Sequence, residues 1–222
     1  MAVAVIIPNL NCAQCLGRCL ESVAAQTVPA DEVIVVDGCS SDDSDKIVIE
    51  CMVKKQPPVS WICTPPLGMA NARNIGIAAT KAEFIVPLDA DDWIEPGYIE
   101  RCVKILAWGG IGVAAPALRW PDGQVQLAKP PFTVERFLEE NLLFSCSMFR
   151  RQCWQDVGGY DEYRRTYEDW DFWLRILKAG WCIEALDEPL FHYCPREGSS
   201  SHRMKPGDHE EYVRYIREKH GK

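Results

Sequence analysis

A chain of 222 residues with 47% hydrophobic and 25% charged side chains has the make-up of an ordinary globular protein and room for one sizeable core. Its 24 Lys and Arg against 32 Asp and Glu leave a net charge of −8, which argues against nucleic acid or an anionic membrane surface as main partner. The opening MAVAVIIPNLN has no basic leader, and its apolar run is too short for a signal peptide or a spanning helix. A cytoplasmic protein is expected, with no integral membrane segment and at most a peripheral membrane association.

The first half alternates strand and helix signals. VAVIIP reads as a buried strand and CLGRCLESVAAQT as an amphipathic helix. The group CAQCLGRC spaces Cys12, Cys15 and Cys19 at i, i+3 and i+7, which invites a zinc or iron–sulfur reading. Leu16, Leu20 and Val23 extend the same stripe, however, and no second ligand pair of matching spacing follows. The eleven cysteines, an odd number, are therefore read as small buried hydrophobes in a reducing compartment rather than as disulfides or metal ligands. DEVIVVDG is a second strand, SDDSDKIVIECMVKK a helix, VSWICT a third strand and GMANARNIGIAAT a third helix. EFIVPL is the fourth strand, with Pro87 near its end, and EPGYIERCVKILAW is a helix with Pro96 in its first turn. Such βα repeats predict a mainly parallel, Rossmann-like sheet flanked by helices, with ligands bound at the carboxyl ends of its strands.

The second half is less regular. GVAAPALRWPDGQVQLA suggests two strands around a Pro-Asp-Gly turn, TVERFLEEN a short helix, and NLLFSCSMFRR an apolar strand. YEDWDFWLRILKAG has a clear helical pattern closing on Gly180. PLFHYCPREGSSSHRMKPG passes from a strand into a Gly/Ser/Pro-rich loop, and DHEEYVRYIREKHGK offers a final helix. With no repeat and no linker, one domain over 1–222 is expected, divided into a regular half (1–115) and a smaller irregular half (116–222).

The stretch FIVPLDADDW runs an apolar strand directly into Asp89, Asp91 and Asp92. Carboxylates this close repel and raise one another's pKa unless positive charge lies between them. The cluster is either a solvated turn capping the next helix or the holder of a cation. A P-loop is absent, and no Gly-x-Gly-x-x-Gly opens the first helix, so a glycine cradle for nucleotide is not expected.

Taken together, VIIPNLN, EVIVVDGCSSDDS, GMANARNIGIAAT, EFIVPLDADDW, GGYDE and YEDWDFWLRI resemble, in order and spacing, the family 2 glycosyltransferases. The resemblance implies a GT-A fold, a nucleotide-diphospho-sugar donor, Mn2+ or Mg2+, and inversion at the anomeric carbon. It makes Asp91 the direct metal ligand, with Asp89 on the donor ribose and supporting the metal, and Ala90 between them at the donor. Asp37 falls where the family recognises the base; a carboxylate suits the imide N–H of a pyrimidine, so a UDP-sugar is favoured. Capping of the turn by Asp37 with Ser40 and Ser41 is the structural alternative. In that turn Cys39 replaces the family's usual glycine. Arg73 matches an arginine near the nucleotide, and Pro8 and Asn9 border the same crevice. Asp169 matches the general base that takes the acceptor hydroxyl's proton, with Glu168 orienting neighbouring groups or touching the acceptor.

For Asp169 two effects compete: the helix N-terminus and a metal lower its pKa, while burial against Trp170 or Trp173 raises it. Asp171 is expected on the helix exterior or paired with Arg175 at i+4. His192 is a candidate for the metal shell. Cys194 stands where relatives commonly have Arg, which shifts a phosphate contact toward Arg196, and Gly198, Ser199, Ser200 and Ser201 read as a lid. The expected activity is transfer to a hydroxyl-bearing glycan or lipid-linked acceptor, in polysaccharide or glycolipid assembly. Two rivals stand beside it: a nucleotidyltransferase of similar fold, which would need a glycine-rich basic loop that IPNLNCAQC lacks, and a non-catalytic sugar-nucleotide-binding protein.

Overall fold

Strand β1 (Val3–Asn9) is buried along its whole length, the signature of a strand covered on both faces. Helix α1 (Ala13–Ala24), β2 (Glu32–Asp37), α2 (Ser44–Lys54), β3 (Val59–Cys63), α3 (Met69–Ala78) and β4 (Phe84–Pro87) follow in the predicted alternation. Beyond them come β5 (Trp93–Ile94), α4 (Tyr98–Leu106), β6 (Ile111–Arg119), β7 (Val125–Gln126), α5 (Val134–Phe137) and β8 (Met148–Arg150). The chain closes with α6 (Arg151–Val157), α7 (Glu168–Lys178), β9 (Cys182–His192) and α8 (Asp208–His220). The computed structural model describes residues 1–54, 57–162, 167–196 and 207–221.

All the strands join one sheet in the order β3-β2-β1-β4-β8-β6-β9-β5, with β7 on β6. The first four strands, β1 to β4, are parallel, as the βα repeats require. The rest of the sheet is mixed: β8 runs antiparallel to both β4 and β6, β9 is parallel to β6, β5 is antiparallel to β9, and β7 is antiparallel to β6. The unbroken parallel run therefore belongs to β1 to β4. The architecture is α/β, a curled mixed sheet between helical layers.

Alternation along β1 divides the core. Val3, Val5 and Ile7 point to one face, where Leu16, Leu20, Ile99 and Leu106 of α1 and α4 cover them. Ala4 and Ile6 point to the other, under Ile77, Trp170, Phe172 and Trp173 of α3 and α7. Gly76 lets α3 lie close on that second face, since a Cβ there would meet Ile6 Cγ2 at 2.5 Å. That approach sets Arg73, one turn earlier, over the strand ends.

Two local expectations are corrected and one element is new. Pro96 precedes α4 rather than opening its first turn; Gly97 is the N-cap, and the Pro96 carbonyl accepts from Thr27 N. Of NLLFSCSMFRR only Met148–Arg150 is strand, because Leu142 and Leu143 are buried against the helical layer and not in the sheet. Helix α6, concealed in the seven residues RQCWQDV, was not foreseen. The cysteines also divide: Cys12, Cys19, Cys102, Cys146 and Cys153 are buried hydrophobes as expected, whereas Cys39, Cys63 and Cys182 are exposed.

Candidate active site

Because β1, β2 and β4 are parallel, their carboxyl ends open on one crevice. Asn9 and Asp37 are register partners at the ends of β1 and β2, and Pro8 is buried beside them opposite Val36. Asp37 is 4% exposed and accepts from Asn9 Nδ2 (2.6 Å), Ser40 Oγ (2.6 Å) and Ser40 N (2.9 Å). The turn-capping role foreseen for Asp37 is thus present in its Ser40 part, whereas Ser41 binds Asn11 Oδ1 instead. Asp37 Oδ2, with a single hydrogen bond, keeps capacity to accept another donor. Asn9 Oδ1 is buried without a partner among the described residues.

The acidic turn follows β4. Asp92 N donates to Asp89 O at 3.0 Å, which folds the three carboxylates together around buried Ala90. Burial and the Asp89 charge push the Asp91 carboxyl above its ordinary range, and Arg196 only partly opposes them with an Nε–Oδ2 hydrogen bond of 3.0 Å. Asp92 is displaced further upward by burial and by the Asp89 and Asp91 charges. Asp92 does not cap α4. Its Oδ1 accepts from Cys194 N at 2.7 Å, tying the segment after β9 to the turn, and its Oδ2 is buried without a partner among the described residues. Arg73 on Asp89 and Arg196 on Asp91 offset part of the cluster's negative charge.

Arg73 joins this turn to the second half. It is 1% exposed and donates through Nη2 to Asp89 Oδ1 (2.6 Å) and through Nη1 to Glu168 Oε1 (2.5 Å). Burial opposes its charge, but the two carboxylates outweigh that and hold its pKa above the usual arginine value. Its guanidinium lies 5.5 Å from the centroid of the Tyr160 ring, which stacks on Phe172 in the core. Asn74, next along α3, holds the GGYDE turn: it accepts from Tyr160 N (2.8 Å) and Trp154 Nε1 (2.9 Å) and donates to Tyr160 O (2.9 Å). Tyr160 and Trp154 are therefore structural here, and Gly159 is needed because a Cβ would meet Asn74 Oδ1 at 2.8 Å.

Helix α7 starts from Tyr167, whose φ is +59°, and puts Glu168, Asp169 and Asp171 in its first turn. For Asp169 burial wins the competition. Its pKa is raised to about 6 by burial first and then by the Glu168 charge, while Arg73, Asn141 and the Trp170 N–H oppose the shift. Asn141 Nδ2 donates to Asp169 Oδ2 at 3.0 Å. Sequence reasoning missed Asn141, which lies in the loop before β8 and carries no local signal of its role. Asp171 does pair with Arg175 (2.7 Å), but it is buried, not exterior, and also binds Lys219 and His220 of α8 at 2.7 Å each.

His192, the register partner of Trp93, is held by Glu95 and by the Trp93 ring. Its Nε2 lies 2.7 Å from Glu95 Oε1, its ring stacks on Trp93 at 3.4 Å, and burial lowers its pKa despite Glu95. All three candidate ligands are engaged: Asp89 with Arg73, Asp91 with Arg196 and His192 with Glu95. Gly198, Ser199, Ser200 and Ser201 lie outside the described residues.

Among the described residues no three His, Cys, Asp or Glu side chains are arranged to hold a metal. Mg2+ and Mn2+ do not require such a cage, since they bind through one or two carboxylates together with substrate phosphates and water. Asp91 and Asp89, partly exposed in a turn with excess negative charge, fit that donor set. No helix among the described residues is long and apolar enough to cross a membrane.

The family model for glycosyl transferase family 2 matches residues 4–160. The chondroitin synthase of Pasteurella multocida (strain Pm70) is 29% identical over 185 residues, 80% of this chain but 19% of that protein. The succinoglycan biosynthesis protein ExoO of Rhizobium meliloti (strain 1021) is 28% identical over 223 residues, 91% of this chain and 63% of that one. The chain thus spans from a fifth to just under two thirds of these two curated relatives. Among solved structures, S. aureus TarS 1-349 in complex with UDP-GlcNAc superposes with a TM-score of 0.80 at 23% identity, covering 97% of this chain and 65% of that one. The mannosyltransferase PcManGT from Pyrobaculum calidifontis, in complex with GDP-Man and Mn2+, gives 0.72 at 21%, covering 88% and 58%. The fold is of the GT-A type, and the chain belongs to glycosyl transferase family 2.

Proposed function

We propose that the chain is a metal-dependent inverting glycosyltransferase that moves a sugar from a nucleotide-diphospho-sugar, UDP-linked by preference, to a hydroxyl acceptor in polysaccharide or glycolipid assembly. The observation that carries this reading is the bridge Asp89–Arg73–Glu168, which sets the acidic tip of β4 against the helix turn bearing Asp169. A donor phosphate site and a proton acceptor are thereby held in one rigid frame. In this arrangement residues 1–115 hold the donor and residues 116–222 the acceptor and the base.

Asn9 and Asp37 at the ends of β1 and β2 receive the base; Asp37 Oδ2, with a single hydrogen bond, has capacity to accept the one imide N–H that a uracil presents. Mn2+ or Mg2+ would be held by Asp91 with Asp89 in support, where the ion supplies charge neutralisation to the departing diphosphate. His192 would join only by exchanging Glu95. Arg196, beside Asp91, offers its guanidinium to the phosphates. The Asp169 carboxylate takes the proton from the acceptor hydroxyl as that oxygen attacks the anomeric carbon from the face opposite the leaving group. A pKa of about 6 suits that task, since the group is ionised at neutral pH yet more basic than a free carboxylate. The UDP-GlcNAc complex of TarS and the GDP-Man and Mn2+ complex of PcManGT support a nucleotide-sugar donor.

The test is Asp169→Asn, assayed with a panel of nucleotide sugars and glycan acceptors. Transfer is expected to fall by about 10²–10⁴ while donor affinity stays within a few-fold, because the proton acceptor is lost and the donor site is not. Undiminished transfer would remove Asp169 from the chemistry.

A further inference from the structure

Cys39 and Cys63 are the two exposed thiols that lie together, with Sγ atoms 3.4 Å apart. The fold creates the pair. Asp37 and Cys63 are register partners on β2 and β3, Thr64 N donates to Asp37 O at 2.8 Å, and Cys39 follows Asp37 by two residues. Cys39 takes a φ of +55°, the left-handed region in which a non-glycine residue is strained. A residue with a side chain is kept where glycine is the comfortable choice, and that side chain is aimed at another thiol. Cys182, the remaining exposed cysteine, lies at the start of β9, far along the sheet.

We propose that Cys39 and Cys63 form a reversible disulfide by exchange with a low-molecular-weight disulfide such as oxidised glutathione, and that this bond closes down the nucleotide crevice. Hydrogen bonding with Cys63 raises the Cys39 pKa, so Cys39 is assigned the second, resolving step. Cys63 sulfur attacks one sulfur of the glutathione disulfide and expels a glutathione thiolate. Cys39 then loses its proton, and its sulfur attacks the mixed disulfide at Cys63 and expels the second glutathione. Two electrons pass from the protein dithiol to one glutathione disulfide, which leaves as two thiols.

The bond shortens the Sγ separation to about 2.05 Å. The movement falls on the turn, and the next residue is Ser40, which holds Asp37 through both its N–H and its hydroxyl and also receives Asn9 Nδ2. Oxidation therefore displaces the clamp on Asp37 and Asn9. The loss of affinity rests on the reading of these two residues as the nucleotide site; formation of the disulfide does not.

The experiment treats the full chain with oxidised glutathione, counts free thiols, maps cross-linked peptides and titrates UDP with Mn2+ before and after reduction. The expected result is the loss of two thiols, a Cys39–Cys63 linked peptide absent from C39S and C63S, and UDP affinity lowered by about tenfold, the worth of one charge-assisted hydrogen bond. Reduction restores the affinity, and C63S keeps it throughout. Failure to form the linked peptide overturns the proposal, and so does a mapped disulfide that leaves UDP affinity unchanged. If the reduced protein binds no nucleotide, the functional reading fails instead, and the mapped peptide still decides whether the thiols pair.

Discussion

Asp169 is the residue on which chemistry and environment meet. Burial and the neighbouring Glu168 charge raise its pKa to about 6, and the Asn141 hydrogen bond restrains the shift. Because the base must be ionised to accept a proton, kcat is expected to fall below about pH 6 with the slope of a single titration. Asn141→Ala removes a donor that favours the charged form, so the acidic limb should move to higher pH while donor affinity is unchanged; a pH–rate profile of the two proteins checks both. The family motif pointed to Asp169, and the sequence left open whether burial or the helix N-terminus would govern its pKa. Asn141 could not be read, because its partner lies 28 residues away and only the tertiary fold joins them. Asp92 was likewise illegible: a helix cap and a buried anchor for the Cys194 N–H look alike in sequence.

Elements hold those residues in place, and α7 is held in turn by α8. Asp171, one turn into α7, binds Arg175 on its own helix and Lys219 and His220 on α8; Lys219 also pairs with Asp161. Burial pushes Asp171's carboxyl upward, but His220, Arg175 and Lys219 outweigh it and hold the pKa well below the carboxylate range. A depressed carboxylate stabilises the fold above the unfolded pKa of about 3.9 and loses that contribution as pH falls below it. Asp171→Ala leaves buried cations without a partner and should cost about 3–5 kcal/mol in denaturant unfolding at neutral pH. Asp171→Asn, which keeps hydrogen-bonding capacity, should cost less. Elements were legible where period and length agreed: the βα repeats of the first half produce long apolar runs separated by polar turns. They were not where an element is too short to show a period, as with β5 of two residues and the single α6 segment between a strand and a Gly-Gly turn.

At the scale of the whole molecule, the parallel strands supply strand ends, the mixed part supplies the helix bearing Asp169, and Arg73 is the join. Replacing it with Met strands Asp89 and Glu168 with uncompensated charge, and a loss of about 3–5 kcal/mol is expected. The effects of Arg73→Met and Glu168→Gln should be less than additive, since each removes a reason for the other; equal and additive losses in a double-mutant cycle would separate the halves. The order of motifs conveyed the first half and its crevice; the mixed pairing of β8 and β9 was hidden, because register across β4, β8 and β6 depends on contacts far apart in the chain. In the proposed reaction the acidic tip of β4 shares a dication with the donor's diphosphate. Calorimetric titration of UDP into the wild type and into Asp91→Asn, with Mn2+ and with a chelator, tests it most directly. Tight binding that needs Mn2+ in the wild type and disappears in Asp91→Asn is the predicted result. Binding of equal strength in the chelator, or in Asp91→Asn, would contradict it.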